Sequence, residues 1–159
     1  MTKSQTLLLK ASDIEAHPEF EFHHPLNPNS EVYLRSLSRS TGLNRIAVSL
    51  ARIPAGKESF IYHAHSNEEE WLYILSGRGI TEIGDAEYEV GAGDFLGFGL
   101  PQVPHHLRNP FDEDLVYLVG GEMVKVDIGT FPRHGKCAIR DGEKAYIVDE
   151  EALTDFWVT

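Results

Sequence analysis

The middle of the chain alternates short apolar runs with clusters of turn-forming residues. Apolar and aromatic runs stop repeatedly at stretches such as Pro54-Ala55-Gly56 and Gly91-Ala92-Gly93-Asp94. Short runs punctuated in this way are typical of the strands of a β-sandwich or β-barrel. The predicted strands cover 31–37, 45–53, 71–75, 80–83, 88–90, 115–119 and 123–128. A parallel α/β fold needs helical crossovers between strands, and the gaps leave no room for them.

Three segments follow from this pattern, within a length of 159 residues that fits one domain. Residues 1–43 are predicted to form an irregular N-terminal arm, because prolines at 18, 25 and 28 interrupt it. Residues 44–128 hold most of the predicted strands and form the barrel. Residues 129–159 are predicted to form a C-terminal arm with a short helix near 150–156.

Charge and the character of the N-terminus restrict the classes of partner. The chain carries 25 acidic residues against 14 Lys and Arg, a formal net charge of −11. Such a surface repels phosphate backbones and anionic lipid, so neither nucleic acid nor a membrane is an expected partner. The apolar run near the N-terminus is too short for a signal peptide, and Cys137 is the sole cysteine. We therefore expect a cytoplasmic protein.

Two histidines separated by one residue form the first candidate for chemistry. On a β-strand, His63 and His65 point to the same side, about 7 Å apart along the backbone. Three consecutive glutamates, residues 68–70, follow at the start of the next predicted strand. One of these carboxylates and the two imidazoles can close on a single metal ion. Spacing alone leaves open which glutamate takes part.

A second candidate follows the proline-bounded stretch 101–104. His105 and His106 are adjacent, so strand alternation sends their side chains to opposite faces. An antiparallel barrel would bring one of them alongside the first hairpin. The other histidine, together with Arg108, is then expected at the surface or an interface. The histidines at 17, 23, 24 and 134 are expected at the surface, although an arm could fold over the barrel and lend one to a substrate.

These two stretches resemble the two signature motifs of the cupin superfamily. In the first motif a glycine follows the glutamate at a fixed spacing, and Gly77 selects Glu70. In the second motif an asparagine follows the histidine, and Asn109 selects His105 over His106. The second motif usually carries proline and glycine where this chain has Leu100 and Gln102. The turn before the histidine is therefore expected to differ locally.

The resemblance implies an all-β fold, the cupin double-stranded β-helix or jelly-roll barrel, here with N- and C-terminal arms. It also implies one divalent transition metal held by His63, His65, Glu70 and His105. Three imidazole nitrogens and one carboxylate oxygen suit iron, manganese, nickel or zinc, and suit calcium or magnesium poorly. A six-coordinate metal would keep two positions open for a small molecule.

The expected function is that of a metal-dependent enzyme acting on a small oxygenated metabolite by dioxygenase, decarboxylase or isomerase-type chemistry. Glu70 would serve as ligand and as a catalytic proton carrier. The alternative is a non-enzymatic, metal-dependent module that binds a small molecule or sugar. A homodimer is also expected, since barrels of this kind have exposed edge strands that an arm from a second subunit could cover.

Overall fold

The computed structural model describes residues 6–157, which fold mainly into antiparallel β-sheet. Two short α-helices and one 3-10 helix, Glu150–Ala152, accompany the strands. The helices are α1 (Ala11–Ala16) and α2 (Ser38–Thr41). The strands are β1 (Phe20–Phe22), β2 (Val32–Ser36), β3 (Ile46–Ile53), β4 (Ala64–His65), β5 (Glu70–Ser76), β6 (Arg78–Ile83), β7 (Ala86–Gly91), β8 (Phe95–Phe98), β9 (His105–Arg108), β10 (Leu115–Glu122), β11 (Val126–Phe131), β12 (Lys136–Asp141) and β13 (Lys144–Asp149).

Three hydrogen-bonded sheets build the barrel. Their strand orders are β1-β2-β3-β10-β5-β8, β13-β12-β11-β4 and β7-β6-β9. The two smaller sheets meet where the backbone of His63 pairs with that of His105, with N–H to carbonyl distances of 3.0 and 2.8 Å in the two directions. The smaller sheets thus continue one into the other, and the predicted all-β jelly-roll barrel is confirmed.

The core lies between the sheets and follows from the two-residue period of the strands. One row across the largest sheet joins Ala51 of β3, Tyr117 of β10 and Ile74 of β5, each almost fully buried. Alternate residues on each strand face this interior, since successive side chains point to opposite sides. The buried cluster comprises Val32, Ala51, Ile53, Leu72, Ile74, Val90, Leu96, Phe98, Leu107, Leu115 and Tyr117.

One predicted break between strands is wrong. The strands predicted over 115–119 and 123–128 leave a break at Gly120-Gly121, yet β10 runs through both glycines to Glu122. A Cβ at Gly120 would lie 2.3 Å from the Trp71 ring, and a Cβ at Gly121 would lie 2.7 Å from the Glu69 carbonyl oxygen. These glycines therefore permit close packing against β5 rather than a reversal of the chain.

Both terminal segments contribute strands. In the N-terminal segment, β1 and β2 extend the largest sheet beside β3, and β2 matches the strand predicted over 31–37. In the C-terminal segment, β12 and β13 form a hairpin next to β11. Near the predicted helix over 150–156, the structure has the 3-10 helix Glu150–Ala152. The segment boundaries at residues 43 and 128 stay a prediction.

The outer strands of the sheets carry apolar side chains. Phe95 on β8 and Tyr146 on β13 are largely exposed. Exposed edges of this kind are usually covered by another element or chain, and the homodimer stays a prediction. Within residues 6–157, no helix combines the length and the apolar character needed to cross a membrane.

Candidate metal centre

The four side chains selected from the sequence lie on one side of the barrel interior. His65 belongs to β4, Glu70 opens β5, His105 opens β9, and His63 directly precedes β4. All three imidazoles point Nε2 at the same carboxylate oxygen. Glu70 Oε2 lies 3.1 Å from Nε2 of His105 and 3.8 Å from Nε2 of both His63 and His65.

Three of the four side chains form the tightest group. The ligand atoms of His63, Glu70 and His105 all lie within 4.8 Å of one another. His65 lies outside this group of three and approaches it through Glu70 Oε2. We call His63, His65, Glu70 and His105 together the imidazole–Glu70 set.

The outer ring nitrogens fix how each imidazole is protonated. Nδ1 of His63 lies 2.6 Å from the Ile61 carbonyl oxygen, and Nδ1 of His105 lies 3.2 Å from the Val103 carbonyl oxygen. A carbonyl can only accept, so both Nδ1 atoms donate. His65 Nδ1 donates in the same way to the Asp127 carboxylate, at 2.6 Å. In each neutral ring Nε2 therefore keeps its lone pair and faces Glu70.

When all three rings are neutral, the imidazole–Glu70 set therefore joins three nitrogen lone pairs to a carboxylate without a donor among them. The hydrogen bond between His105 Nε2 and Glu70 Oε2, at 3.1 Å, needs a second proton on that ring. Burial alone would raise the pKa of Glu70, but His105 and His63, when protonated, donate to its carboxylate and attract its charge, which outweighs burial and holds that pKa far below its usual range. Burial alone would lower the pKa of His63, but Glu70 and the Ile61 carbonyl outweigh it and raise that pKa. Electrostatically the set calls for a cation, either protons or a metal ion. The donor set fits a divalent transition metal.

Two residues around the set hold its geometry. The Phe98 ring stacks on His105 with ring centroids 3.5 Å apart. Gln102 joins the loop before β9 to the first hairpin. Its amide oxygen accepts from the His65 backbone N–H at 2.8 Å, and its amide nitrogen donates to the Glu68 carbonyl at 2.7 Å. Gln102, at a position where the cupin motif usually has glycine, thus forms two hydrogen bonds that a glycine could not form.

A second acidic cluster lies behind His65 and was not found from the sequence. Asp127 of β11 and Arg140 of β12 are direct cross-strand partners. Asp127 is 4% exposed and accepts from His65 Nδ1 and from the Asn67 backbone N–H. The Glu68 carboxylate accepts from the Val124 backbone N–H and from the Arg140 guanidinium. We call His65 Nδ1, Glu68 and Asp127 the outer acidic cluster.

Two cavities that adjoin the imidazole–Glu70 set are large enough to hold a small molecule. The smaller has a volume of about 310 Å³ and is lined by His63, His65 and Glu70 together with His24 and Phe131. His24 comes from the N-terminal segment and packs edge-on against Phe131, with ring centroids 5.2 Å apart. Burial lowers its pKa to about 4, so the ring is neutral. Its predicted surface position is therefore wrong, and the arm does bring a histidine to the barrel mouth.

The larger cavity has a volume of about 570 Å³ and reaches the same set from the other side. His65, Glu68, Glu70 and Arg140 line both cavities. Its remaining walls come from the largest sheet and α2. These walls consist of Phe20, Leu34, Ser36, Ser38, Arg39, Ala47, Ser49, Glu69, Val119, Gly120, Gly121, Glu122 and Met123.

Other side chains considered from the sequence lie elsewhere. His106, expected at the surface or an interface, is buried within the chain with 8% exposure, and its ring nitrogens lie 3.6 Å from Glu58 and 3.5 Å from Glu82. The Arg52 guanidinium is paired with the carboxylates of Glu19 and Asp114 and lines neither cavity.

Known proteins agree with this fold. The sequence profile of the cupin domain family matches residues 49–121. A crystal structure from Acidithiobacillus ferrooxidans, of a candidate sugar phosphate isomerase, superposes with a TM-score of 0.88 at 33% identity, over 94% of this chain and 96% of that chain. A structure from Silicibacter pomeroyi, described as a sugar phosphate isomerase of the cupin superfamily, superposes with a TM-score of 0.81 at 20% identity, over 92% and 96% of the two chains.

A protein of Methanocaldococcus jannaschii without an assigned function is 36% identical over 59 residues. This match covers 37% of the present chain and 46% of the other, so the chain spans less than half the length of that relative. The profile match and the Acidithiobacillus relative place the protein in a family. The chain belongs to the cupin superfamily, as a small cupin of the type-2 class.

Proposed function

We propose that the protein is a metal-dependent enzyme that acts on a small oxygenated metabolite, with His63, His65, Glu70 and His105 holding one divalent transition metal. The observation that carries this proposal is the convergence of three Nε2 lone pairs on the Glu70 carboxylate beside two cavities. The bound ion would supply Lewis-acid catalysis to a chelating diketone, enediol, hydroxy acid or sugar.

The chain's own residues would orient this chemistry. The Ile61 and Val103 carbonyls and Asp127 hold the imidazoles with Nε2 directed inwards. Phe98 and the apolar barrel interior cover the His105 side of the set. The cavity of about 570 Å³ is large enough for a small metabolite. Among the candidate chemistries, the name of the Acidithiobacillus relative supports the isomerase type.

The alternative is a metal-dependent binding module without chemistry. The observation that favours it is the depressed pKa of Glu70, because a carboxylate that is hard to protonate is a weak proton carrier near neutral pH. Under this alternative the same cavity would bind a small molecule or sugar and return it unchanged.

Metal analysis and a substrate screen test the proposal. The purified protein should contain about one equivalent of iron, manganese, nickel or zinc by elemental analysis. Protein loaded with each metal should then be screened with diketones, hydroxy acids and sugar phosphates, with oxygen consumption and product formation measured in parallel. Turnover with any of them supports the enzyme. Tight binding without turnover under every metal would favour the binding module.

Replacement of Glu70 by glutamine tests its catalytic role. We expect Glu70→Gln to retain much of the metal, because the amide oxygen can still coordinate, and to lose most turnover, because the amide carries no charge and accepts no proton. Metal content and steady-state rate must be measured on the same sample. Unchanged turnover at full occupancy would exclude a catalytic role for Glu70 beyond holding the ion.

A further inference from the structure

Arg39 stands out among the cations of this acidic chain. Within residues 6–157, the arginines other than Arg39 and Arg45 all form ion pairs with carboxylates. A chain with 25 acidic residues offers many such partners. Arg39 lines the cavity of about 570 Å³ that also reaches Glu70, whereas Arg45 does not. An arginine left without a carboxylate in a cavity is free to receive an anion from outside the protein.

The register of the largest sheet explains why this cavity extends away from Glu70. Glu70 on β5 pairs with Gly121 on β10, and Gly121 pairs with Ala47 on β3. Paired residues of antiparallel strands share a face, so two small residues lie beside Glu70 and leave the sheet surface open. We call this strip, Glu70 to Ala47, the cavity floor.

Two serines lie on the same face beyond the floor. Ser49 of β3 pairs with Ser36 of β2, and both line the cavity. The Ser49 hydroxyl makes no hydrogen bond to any residue in 6–157, and the Ser36 hydroxyl oxygen only accepts, from the Arg39 backbone N–H at 3.4 Å. Both O–H groups are therefore available as donors. Adjacent strands lie about 4.8 Å apart, so three steps from β5 place β2 about 14 Å from the Glu70 strand.

We propose that Arg39, Ser36 and Ser49 form an anion subsite for a phosphate or carboxylate group of the substrate. Five guanidinium N–H groups and two hydroxyls match the oxygens of either anion. The link from this subsite to a reacting group at Glu70 rests on the proposed function. The substrate class would then be a small oxygenated molecule with an anionic group at the end remote from the metal.

The charges of the cavity favour this orientation. Four glutamates line one end of the cavity: the consecutive residues 68–70 and Glu122. The Glu68 carboxylate is paired with Arg140, and the Glu122 carboxylate accepts from the Glu69 backbone N–H at 3.0 Å. These carboxylates line the part of the cavity formed by β5 and the end of β10. An anionic group is repelled there and attracted by Arg39, next to β2. The charge distribution therefore directs the anionic end of a ligand towards the subsite.

Titration of the ¹⁵N-labelled, metal-free protein with inorganic phosphate, and separately with acetate, tests the subsite. At constant ionic strength and pH 7, we expect saturable amide shift changes at residues 36–39 and 49. Arg39→Gln should weaken binding by about tenfold or more, since a charged hydrogen-bonding partner is lost. Ser49→Ala should weaken it by about threefold. The matched control is Arg45→Gln, which removes another exposed arginine that forms no ion pair within residues 6–157 and lies outside the cavity. The anion that binds more tightly identifies the group.

Three results would overturn the subsite. These are absence of shifts at residues 36–39 and 49, equal weakening by Arg39→Gln and Arg45→Gln, and shifts confined to the imidazole–Glu70 set. The titration uses neither metal nor turnover. A protein that binds phosphate at Arg39 but shows no metal and no turnover would therefore retain the subsite while losing the proposed function.

Discussion

The imidazole–Glu70 set and the outer acidic cluster share His65 but differ in their hydrogen bonds. Each contains three side chains whose ligand atoms lie within 4.8 Å of one another. These are His63, Glu70 and His105 in the first, and His65, Glu68 and Asp127 in the second. In the outer acidic cluster, Asp127 receives donors from His65 and the Asn67 backbone, and Glu68 receives donors from Arg140 and the Val124 backbone. In the imidazole–Glu70 set the Nδ1 atoms donate outwards, so Glu70 faces only Nε2 atoms, and these can donate to it only when a ring takes up a second proton.

The difference shows that proximity alone does not define a metal site. A group of acceptors already satisfied by protein N–H groups has little to gain from a cation. A buried group of acceptors without donors is costly until a proton or a metal ion joins it. The count of donors therefore favours the imidazole–Glu70 set as the proposed metal site, with the outer acidic cluster in a supporting role. Four predictions test this assignment.

The largest effect is expected from His63→Ala, which should abolish stoichiometric metal binding while the barrel stays folded. His106→Ala is the matched control, because His106 is buried to the same degree and also lies beside carboxylates. Elemental analysis gives the metal content, and circular dichroism checks the fold. Full metal occupancy in His63→Ala, or an equal loss of metal in His106→Ala, would contradict the proposed ligands.

The next effect is the pH dependence of metal affinity. The pKa of His63 is raised above its usual value of 6.5, so a proton competes with the metal from above pH 6.5 downwards. Affinity should rise with pH until the pH exceeds that raised pKa, and should fall by about tenfold per pH unit below it, or more steeply if several rings are protonated. Competition with a chelator between pH 5 and 8 measures it. A flat profile would exclude histidines as the main ligands.

A smaller effect is expected from Asp127→Asn. Asp127 is the carboxylate behind the imidazole of His65, a proposed ligand, and loss of such a partner typically weakens metal binding by about 10–100-fold. We expect this loss together with a shift in the absorption bands of the cobalt-substituted protein, since the His65 ring changes its basicity. Glu82→Gln, which alters the carboxylate beside His106, is the matched control. An unchanged cobalt spectrum would show that Asp127 has only a structural role.

The sequence predicted which candidate ligands lie together better than it predicted their surroundings. Three of them, His63, His65 and Glu70, could be selected because they lie in one short motif closed by Gly77. His105 could be selected because it lies in a second motif closed by Asn109. At Gly77 φ is 78°, and a Cβ there would lie 2.2 Å from the Asp114 carbonyl oxygen, so the fixed spacing has a steric cause. Local geometry of this kind is visible in a single sequence.

Asp127 and Arg140 were missed because their partners lie far away in the sequence. Asp127 is separated from His65 by 62 positions and Arg140 from Glu68 by 72. Only the pairing of β11 with β12 and with β4 brings them behind the site. A signal for this hairpin did exist, since Asp141-Gly142 between two strand-like runs is a typical hairpin turn. Reading it would have turned the predicted C-terminal arm into part of the barrel wall.

The smallest change in metal affinity is expected for Glu68→Gln, which is also the sharpest test of the difference between the two clusters. Glu68 lies two residues from Glu70 and belongs to the cluster with His65 and Asp127, so proximity alone would make it a ligand. The Glu68 carboxylate already has protein donors: it forms an ion pair with Arg140 and accepts a hydrogen bond from the Val124 backbone N–H. A glutamine keeps the oxygen and loses the charge.

Metal affinity of Glu68→Gln should therefore stay within about threefold of the unaltered protein, because no lone pair facing the ion is lost. The free energy of unfolding of the metal-free protein should fall by about 1 kcal/mol, the value of a partly exposed charged hydrogen bond. Chelator competition and urea unfolding on the same preparation give both numbers. A tenfold loss of affinity would place Glu68 among the ligands, and counting donors would then fail to distinguish the two clusters.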